Sequence, residues 1–173
     1  DLRRFLLYWK MLDNPSKVDF RCFLKPKVSY RYSSNGVICG VDVGTSGRFA
    51  CHDELSLSIQ SGETSYCEPR RNLQEHEDPT LYTHFEVALF YKGGFYNPAK
   101  QALPTQGEPV PEEVRSCWST HDDVVGWMPQ EKVQEIFDTL VLKEALEPQD
   151  FSWDKITSAK TEAEAMLGWS INR

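Results

Sequence analysis

Residues 18–32 alternate between apolar and polar. Val18, Phe20, Cys22, Leu24, Val28, Tyr30 and Tyr32 stand against Asp19, Arg21, Lys25, Lys27, Ser29 and Arg31, with Phe23 the one exception. A period of two sends successive side chains to opposite faces, so this stretch predicts a half-exposed antiparallel strand. Pro26 cannot donate to a ladder and predicts an edge, a bulge or a break into two strands. Asn35-Gly36 follows, and both residues tolerate positive φ, so a two-residue hairpin turn is expected there. Val37, Cys39, Val41 and Val43 supply the return strand. The polar side of this hairpin carries Arg21, Lys25, Lys27 and Arg31, a pattern that protects the edge of a sheet from pairing with other chains.

Further strands are predicted over residues 48–51, 55–59, 82–91 and 124–127, and Gly93-Gly94 turns the third of these elements into Phe95-Tyr96. Helical spacing appears three times. Leu2, Phe5, Leu6, Trp9 and Leu12 share one face of an N-terminal helix, and Val133, Ile136, Phe137 and Leu140 share one face of a helix running from Pro129 to about Leu146. Residues 158–169 form the third. Stretches 61–80 and 99–121 are polar or proline-rich and read as long loops, which in a small domain are usually functional or mobile. The expected fold is one α+β domain over residues 1–173. It has an N-terminal helix, a mainly antiparallel sheet of five to seven strands, and two C-terminal helices on one face.

A chain of 173 residues with 40% hydrophobic and 26% charged residues is long and apolar enough to fold alone. No uncharged apolar run approaches the roughly 20 residues of a membrane-spanning helix, so no membrane association is expected. The chain starts at Asp1, and Asp1, Arg3, Arg4 and Lys10 interrupt the first apolar stretch, which therefore does not read as a secretory signal. Five cysteines at irregular spacing, with no Cys-x-x-Cys, suggest neither a disulfide framework nor a zinc site; reduced thiols and a cytoplasmic location are expected.

The net charge of −7 is uneven: residues 1–110 balance thirteen basic against thirteen acidic residues, and residues 111–173 hold thirteen acidic and six basic. Such a surface disfavours direct binding to a phosphate backbone and suits a basic protein partner, nucleic-acid-binding proteins among them.

Three constellations bear on chemistry. Residues 40–47 (Gly-Val-Asp-Val-Gly-Thr-Ser-Gly) resemble the first phosphate-binding turn of the actin-like sugar-kinase ATPases, which would make Asp42 a metal-positioning residue; the second acidic phosphate motif of that family is missing. The length fits the smaller ribonuclease-H-like nucleases better, and that resemblance implies carboxylates converging on two divalent metals, with Asp42, Glu86, Asp122 and Asp123 as candidates. His52, His76 and His121 each precede acidic residues, and Cys117 lies near His121, but neighbouring residues on a strand point apart and nothing in the spacing selects a metal. Trp127-Met128-Pro129 resembles the turn that ends some short uncharacterised domains and implies no activity.

No strong catalytic signature emerges. The leading expectation is a small non-enzymatic interaction protein, an inhibitor or adaptor with no cofactor and no metal. Its expected contact residues are Glu112, Glu113, Asp122 and Asp123, with Phe95 and Tyr96 near the Gly-Gly turn as aromatic contacts. Two alternatives are a metal-dependent nuclease or phosphotransfer enzyme centred on Asp42, and a structural subunit that docks through residues 2–12.

Overall fold

The computed structural model describes residues 18–101, 110–149 and 151–171, so the N-terminal helix expected over residues 2–12 lies outside the described residues. Six strands form one antiparallel sheet: β1 (Lys25–Tyr32), β2 (Ile38–Ala50), β3 (Leu55–Ser61), β4 (His84–Tyr91), β5 (Gly94–Tyr96) and β6 (Val124–Pro129). The order is β1-β2-β3-β4, and β5 and β6 share the far edge of β4, at Leu89–Tyr91 and His84–Ala88 respectively. Three α-helices are described, against the two expected beyond the N-terminal one: α1 (Glu112–Arg115), a single turn within the stretch read as a loop, α2 (Gln130–Leu140) and α3 (Trp153–Ile171). The fold is α+β, and no helix among the described residues is long and apolar enough to cross a membrane.

The alternating stretch divides. Residues Phe20–Phe23 form a 3-10 turn, capped by the Asp19 carboxylate, which accepts from the Arg21 N–H at 2.9 Å. In that geometry residues three apart eclipse, so Phe20 and Phe23 are both buried, and the exception to the alternation is explained. β1 begins only at Lys25 and pairs with β2 alone, which is the edge position that Pro26 and the basic stripe require. The turn after it is wider than two residues. Ser33 N–H donates to the Val37 carbonyl at 2.8 Å, and Gly36 alone takes positive φ, at 80°.

The largest departure from expectation concerns residues 40–47. They do not turn; they run extended inside the thirteen-residue β2. Gly44 is needed for close approach, since a Cβ there would stand 2.1 Å from the Ser61 carbonyl oxygen. Asp42 is therefore a mid-strand residue, and the phosphate-turn geometry implied by the resemblance is absent.

One face of the sheet carries the core. Val43, Phe49, Leu55, Leu57, Ile59, Phe85, Val87 and Leu89 are buried there beneath α2 and α3. Phe137 of α2 sits at the centre, its ring centroid 5.1 Å from that of Phe49 and 6.2 Å from those of Phe20 and Phe23. α2 stops at Leu140 rather than running to Leu146, because Val141 bridges to Cys51 and the Leu142 N–H donates to the Ala50 carbonyl at 2.9 Å. α3 starts earlier than its apolar spacing suggests, at Trp153, whose indole N–H donates to the Glu77 carbonyl at 2.7 Å.

The opposite face has no described element laid across its middle. Lys27, Ser29 and Arg31 of β1, Asp42, Ser46 and Arg48 of β2, Ser56, Ser58 and Gln60 of β3, and Glu86, Ala88 and Phe90 of β4 alternate onto it. The long polar stretch 61–80 is pinned at its rim. Where β3 ends, Asn72 and Leu73 take over its ladder: the Val43 N–H donates to Asn72 Oδ1 at 2.8 Å and the Leu73 N–H to the Val43 carbonyl at 2.9 Å.

Candidate functional site

The rim of the polar face brings together two aromatic side chains far apart in sequence. On β6, Val125 pairs with Val87 and Met128 with Phe85, so Gly126 and Trp127 face the single residue Glu86. Two residues against one is a β-bulge, and it throws Trp127 into the left-handed region at φ 49°, a conformation bulky residues rarely adopt. The opposite partner is the 61–80 segment. Its Tyr66 is held by both backbone groups, the N–H donating to Glu86 Oε2 at 2.9 Å and the carbonyl accepting from the Trp127 N–H at 2.7 Å. Gly126 makes this possible, because a Cβ there would stand 2.6 Å from the Tyr66 Cβ.

The result is a pair of rings with centroids 5.1 Å apart and planes 39° apart, 47% exposed at Tyr66 and 51% at Trp127. Aromatic side chains normally supply core area. These two are kept out of the core by hydrogen bonds and a bulge instead. The Arg70 guanidinium lies 5.2 Å from the Tyr66 ring centre, with its Nε donating to the Glu63 carbonyl at 3.1 Å. Glu63 itself is part of a charged cluster at the same rim. Arg31 donates from Nη1 to Glu63 Oε1 at 3.2 Å and from Nη2 to Asp42 Oδ1 at 3.0 Å, and Asn72 Nδ2 donates to Glu63 Oε2 at 2.9 Å. Below the pair, Cys67 is buried against Gly62 and its thiol is held above its ordinary pKa, chiefly by burial.

The carboxylates expected to share metals do not converge. Asp42 is 2% exposed and engaged by Arg31. Gln60 pairs with both Ser46 and Glu86, so Glu86 is level with Ser46, four residues along β2 from Asp42 and two strands across. That separation is about 13 Å along the strand and about 10 Å across it, far from the distance at which two carboxylates hold one metal pair. Glu86 is occupied by the Tyr66 N–H. Asp122 and Asp123 stand elsewhere, at a corner where buried Asn97 donates to the Ser119 and Asp122 carbonyls at 2.8 and 2.9 Å. Asp123 pairs with Lys100 at 3.2 Å, and its carbonyl accepts from the Trp118 indole at 3.2 Å. Among the described residues no group of three or more His, Cys, Asp or Glu side chains is arranged to hold a metal ion.

The expected contact residues divide. Glu112 and Glu113 project from α1, and Asp122 is exposed. Phe95 is 56% exposed and lies 4.6 Å from Phe90, which the Arg48 guanidinium covers at 3.7 Å. Tyr96, by contrast, is 3% exposed, and its hydroxyl donates to the Gln101 carbonyl at 2.9 Å; it points into the core because it pairs with Leu89 rather than with Phe90. Tyr66 and Trp127 were not among the expected contacts. The available signal was Gly126 inside an apolar strand, which marks a bulge or a close backbone approach.

No protein-family model, no curated protein and no solved structure matches the chain.

Proposed function

We propose that this protein works by binding a basic macromolecular partner, as an inhibitor or adaptor, and that Tyr66 and Trp127 anchor the contact. The observation that supports this reading is the exposed ring pair itself, fixed by backbone hydrogen bonds and a left-handed residue. Exposed Tyr, Trp and Arg side chains in fixed geometry are the residue types that dominate binding energy at protein interfaces. The charge of the surroundings supports a basic partner. Segment 61–80 carries five acidic and two basic residues, and segment 110–129 carries four acidic and one basic. Those two segments supply the two rings and most of the net charge of −7. Glu112, Glu113, Asp122 and Asp123 then act as an outer electrostatic field that speeds and orients encounter, while the rings supply the short-range contact.

The test is affinity capture with the tagged chain from nuclease-treated native lysate, run beside Trp127→Ala. A protein partner retained in stoichiometric amount, released by salt and missing from the variant is the expected result. Equal retention by the variant, or no partner at all, would overturn the reading.

A further inference from the structure

Resting on that reading, we propose that the group received by Tyr66 and Trp127 is an arginine side chain of the partner, and that Arg70 is its internal stand-in in the free protein. Tyr66 already accepts a guanidinium: that of Arg70 lies over its ring at 5.2 Å, within the range of a cation–π contact. Arg70 is exposed and is fixed by a single hydrogen bond, from Nε to the Glu63 carbonyl at 3.1 Å, so its place on the ring is open to exchange. Trp127 presents the stronger cation-binding ring, and among the described residues no cation is stacked on it.

Carboxylates also belong to the same rim. Glu68, two residues from Tyr66, is exposed; Glu63 is half-exposed and shared with Arg31 and Asn72, and Glu86 lies directly behind the Tyr66 backbone, one oxygen accepting its N–H. A guanidinium is planar, stacks on a ring face and still offers edge donors to carboxylates, which an ammonium does less well. A proline-rich segment also docks on exposed Trp–Tyr pairs, but it gains nothing from the acidic segments around this one. The chemistry that uses both features is a stacked cation.

A sign follows that no generic docking surface would give. Arg70 competes with the incoming guanidinium and repels it, so Arg70→Ala should tighten binding by about two- to fivefold, the size of an exposed cation–π contact. The experiment titrates the full chain, at low and at physiological salt, with nonapeptides of Gly and Ser carrying two Arg, two Lys, two citrulline or four Pro residues. Thermal unfolding of every variant serves as the folding control, and Trp127→Phe is the ring-preserving second variant. Arg should bind more tightly than Lys and Lys more tightly than citrulline. Tyr66→Ala and Trp127→Ala should abolish saturable binding, Trp127→Phe should weaken it in part, and Arg70→Ala should strengthen it.

Citrulline or proline peptides binding as well as arginine, with the same need for Tyr66 and Trp127, would overturn the arginine proposal and leave the ring pair as the docking site. Weaker binding in Arg70→Ala would do the same, since it would make Arg70 a support for the ring pair rather than a competitor for its place. Absence of saturable arginine-peptide binding also overturns the proposal, while partner capture with Trp127→Ala decides the underlying reading separately. Arginine peptides that bind both ring variants unchanged would remove the site altogether.

Discussion

At the scale of single residues, Trp127 is held in a backbone conformation that costs free energy and is not repaid by burying its ring. A glycine at this position would relieve that strain, worth about 1 kcal/mol or more. Trp127→Gly should therefore unfold at the same temperature as the wild type or higher while losing partner binding, whereas a structural tryptophan would show the reverse. Gly126→Ala should act through its neighbour. The added Cβ displaces Tyr66, so binding weakens although no ring has been removed. Thiol chemistry gives an independent check on the packing below the site. Burial pushes the Cys51 thiol up to about 12 and raises that of Cys67, while Cys39 is exposed and none of the five cysteines forms a disulfide. Under native conditions at pH 8 an aromatic disulfide reagent should modify Cys39 first and reach Cys51 and Cys67 only as fast as the chain unfolds. Rapid modification of Cys67 would mean that the 61–80 segment opens freely, and the ring pair with it. The odd cysteine count in the sequence predicted unpaired thiols; which of them are protected depends on contacts between β2, β3 and their loops that spacing does not reveal.

Among the elements, α2 and the 61–80 segment carry the sharpest expectations. Phe137 joins three other rings into one cluster, so Phe137→Ala should cost about 3–5 kcal/mol in a denaturant titration. The 61–80 segment is clamped by Glu77, which accepts from Arg71 Nη1 and Nη2 at 2.8 and 2.7 Å and from the Gln74 N–H at 2.7 Å. The Arg71 guanidinium, helped by that backbone N–H, lowers the Glu77 carboxyl to about 2. A lowered folded-state pKa gives stability that is present above the ordinary carboxyl value and lost as pH falls through the folded value. The difference in Tm between wild type and Glu77→Gln should therefore be constant near neutral pH and close between about pH 4.5 and 2; a gap that stays open at pH 2 would assign the clamp to something other than this carboxylate. Most of the elements were legible in the sequence: β3 and β4 from alternation, α2 from its apolar stripe, β1 as an edge from Pro26 and its lysines. Two were misread for physical reasons. Alternation at 18–24 and eclipsed spacing in a 3-10 turn both bury Phe20, and only Phe23 separates them. Gly40, Gly44 and Gly47 read as turn residues, but they lie in an extended strand, where Gly44 is required by the close approach of Ser61 rather than by a turn.

For the whole molecule, the sequence placed charge correctly as a quantity but not as a surface. The acidic excess of residues 111–173 is real, yet Asp123 is tied to Lys100, Glu112 faces Arg115 at 3.6 Å, and Lys132 and Lys143 pair with Glu135 and Asp138, so that of the four expected contact carboxylates Glu113 and Asp122 project without an ion pair among the described residues. Changing Glu112, Glu113, Asp122 and Asp123 to neutral residues should slow association with the partner and flatten its salt dependence while leaving dissociation nearly unchanged, as rim charges do. An unchanged salt slope would remove the acidic segment from the interaction. The ring pair was not legible, because it exists only when a bulge on β6 meets a loop sixty residues earlier, and neither half is distinctive alone. The deciding measurement is partner retention by wild type and Trp127→Gly, read together with the Tm of each. Retention lost at equal or higher Tm is the expected result; a variant that keeps its partner would show that Tyr66 and Trp127 are exposed for another reason.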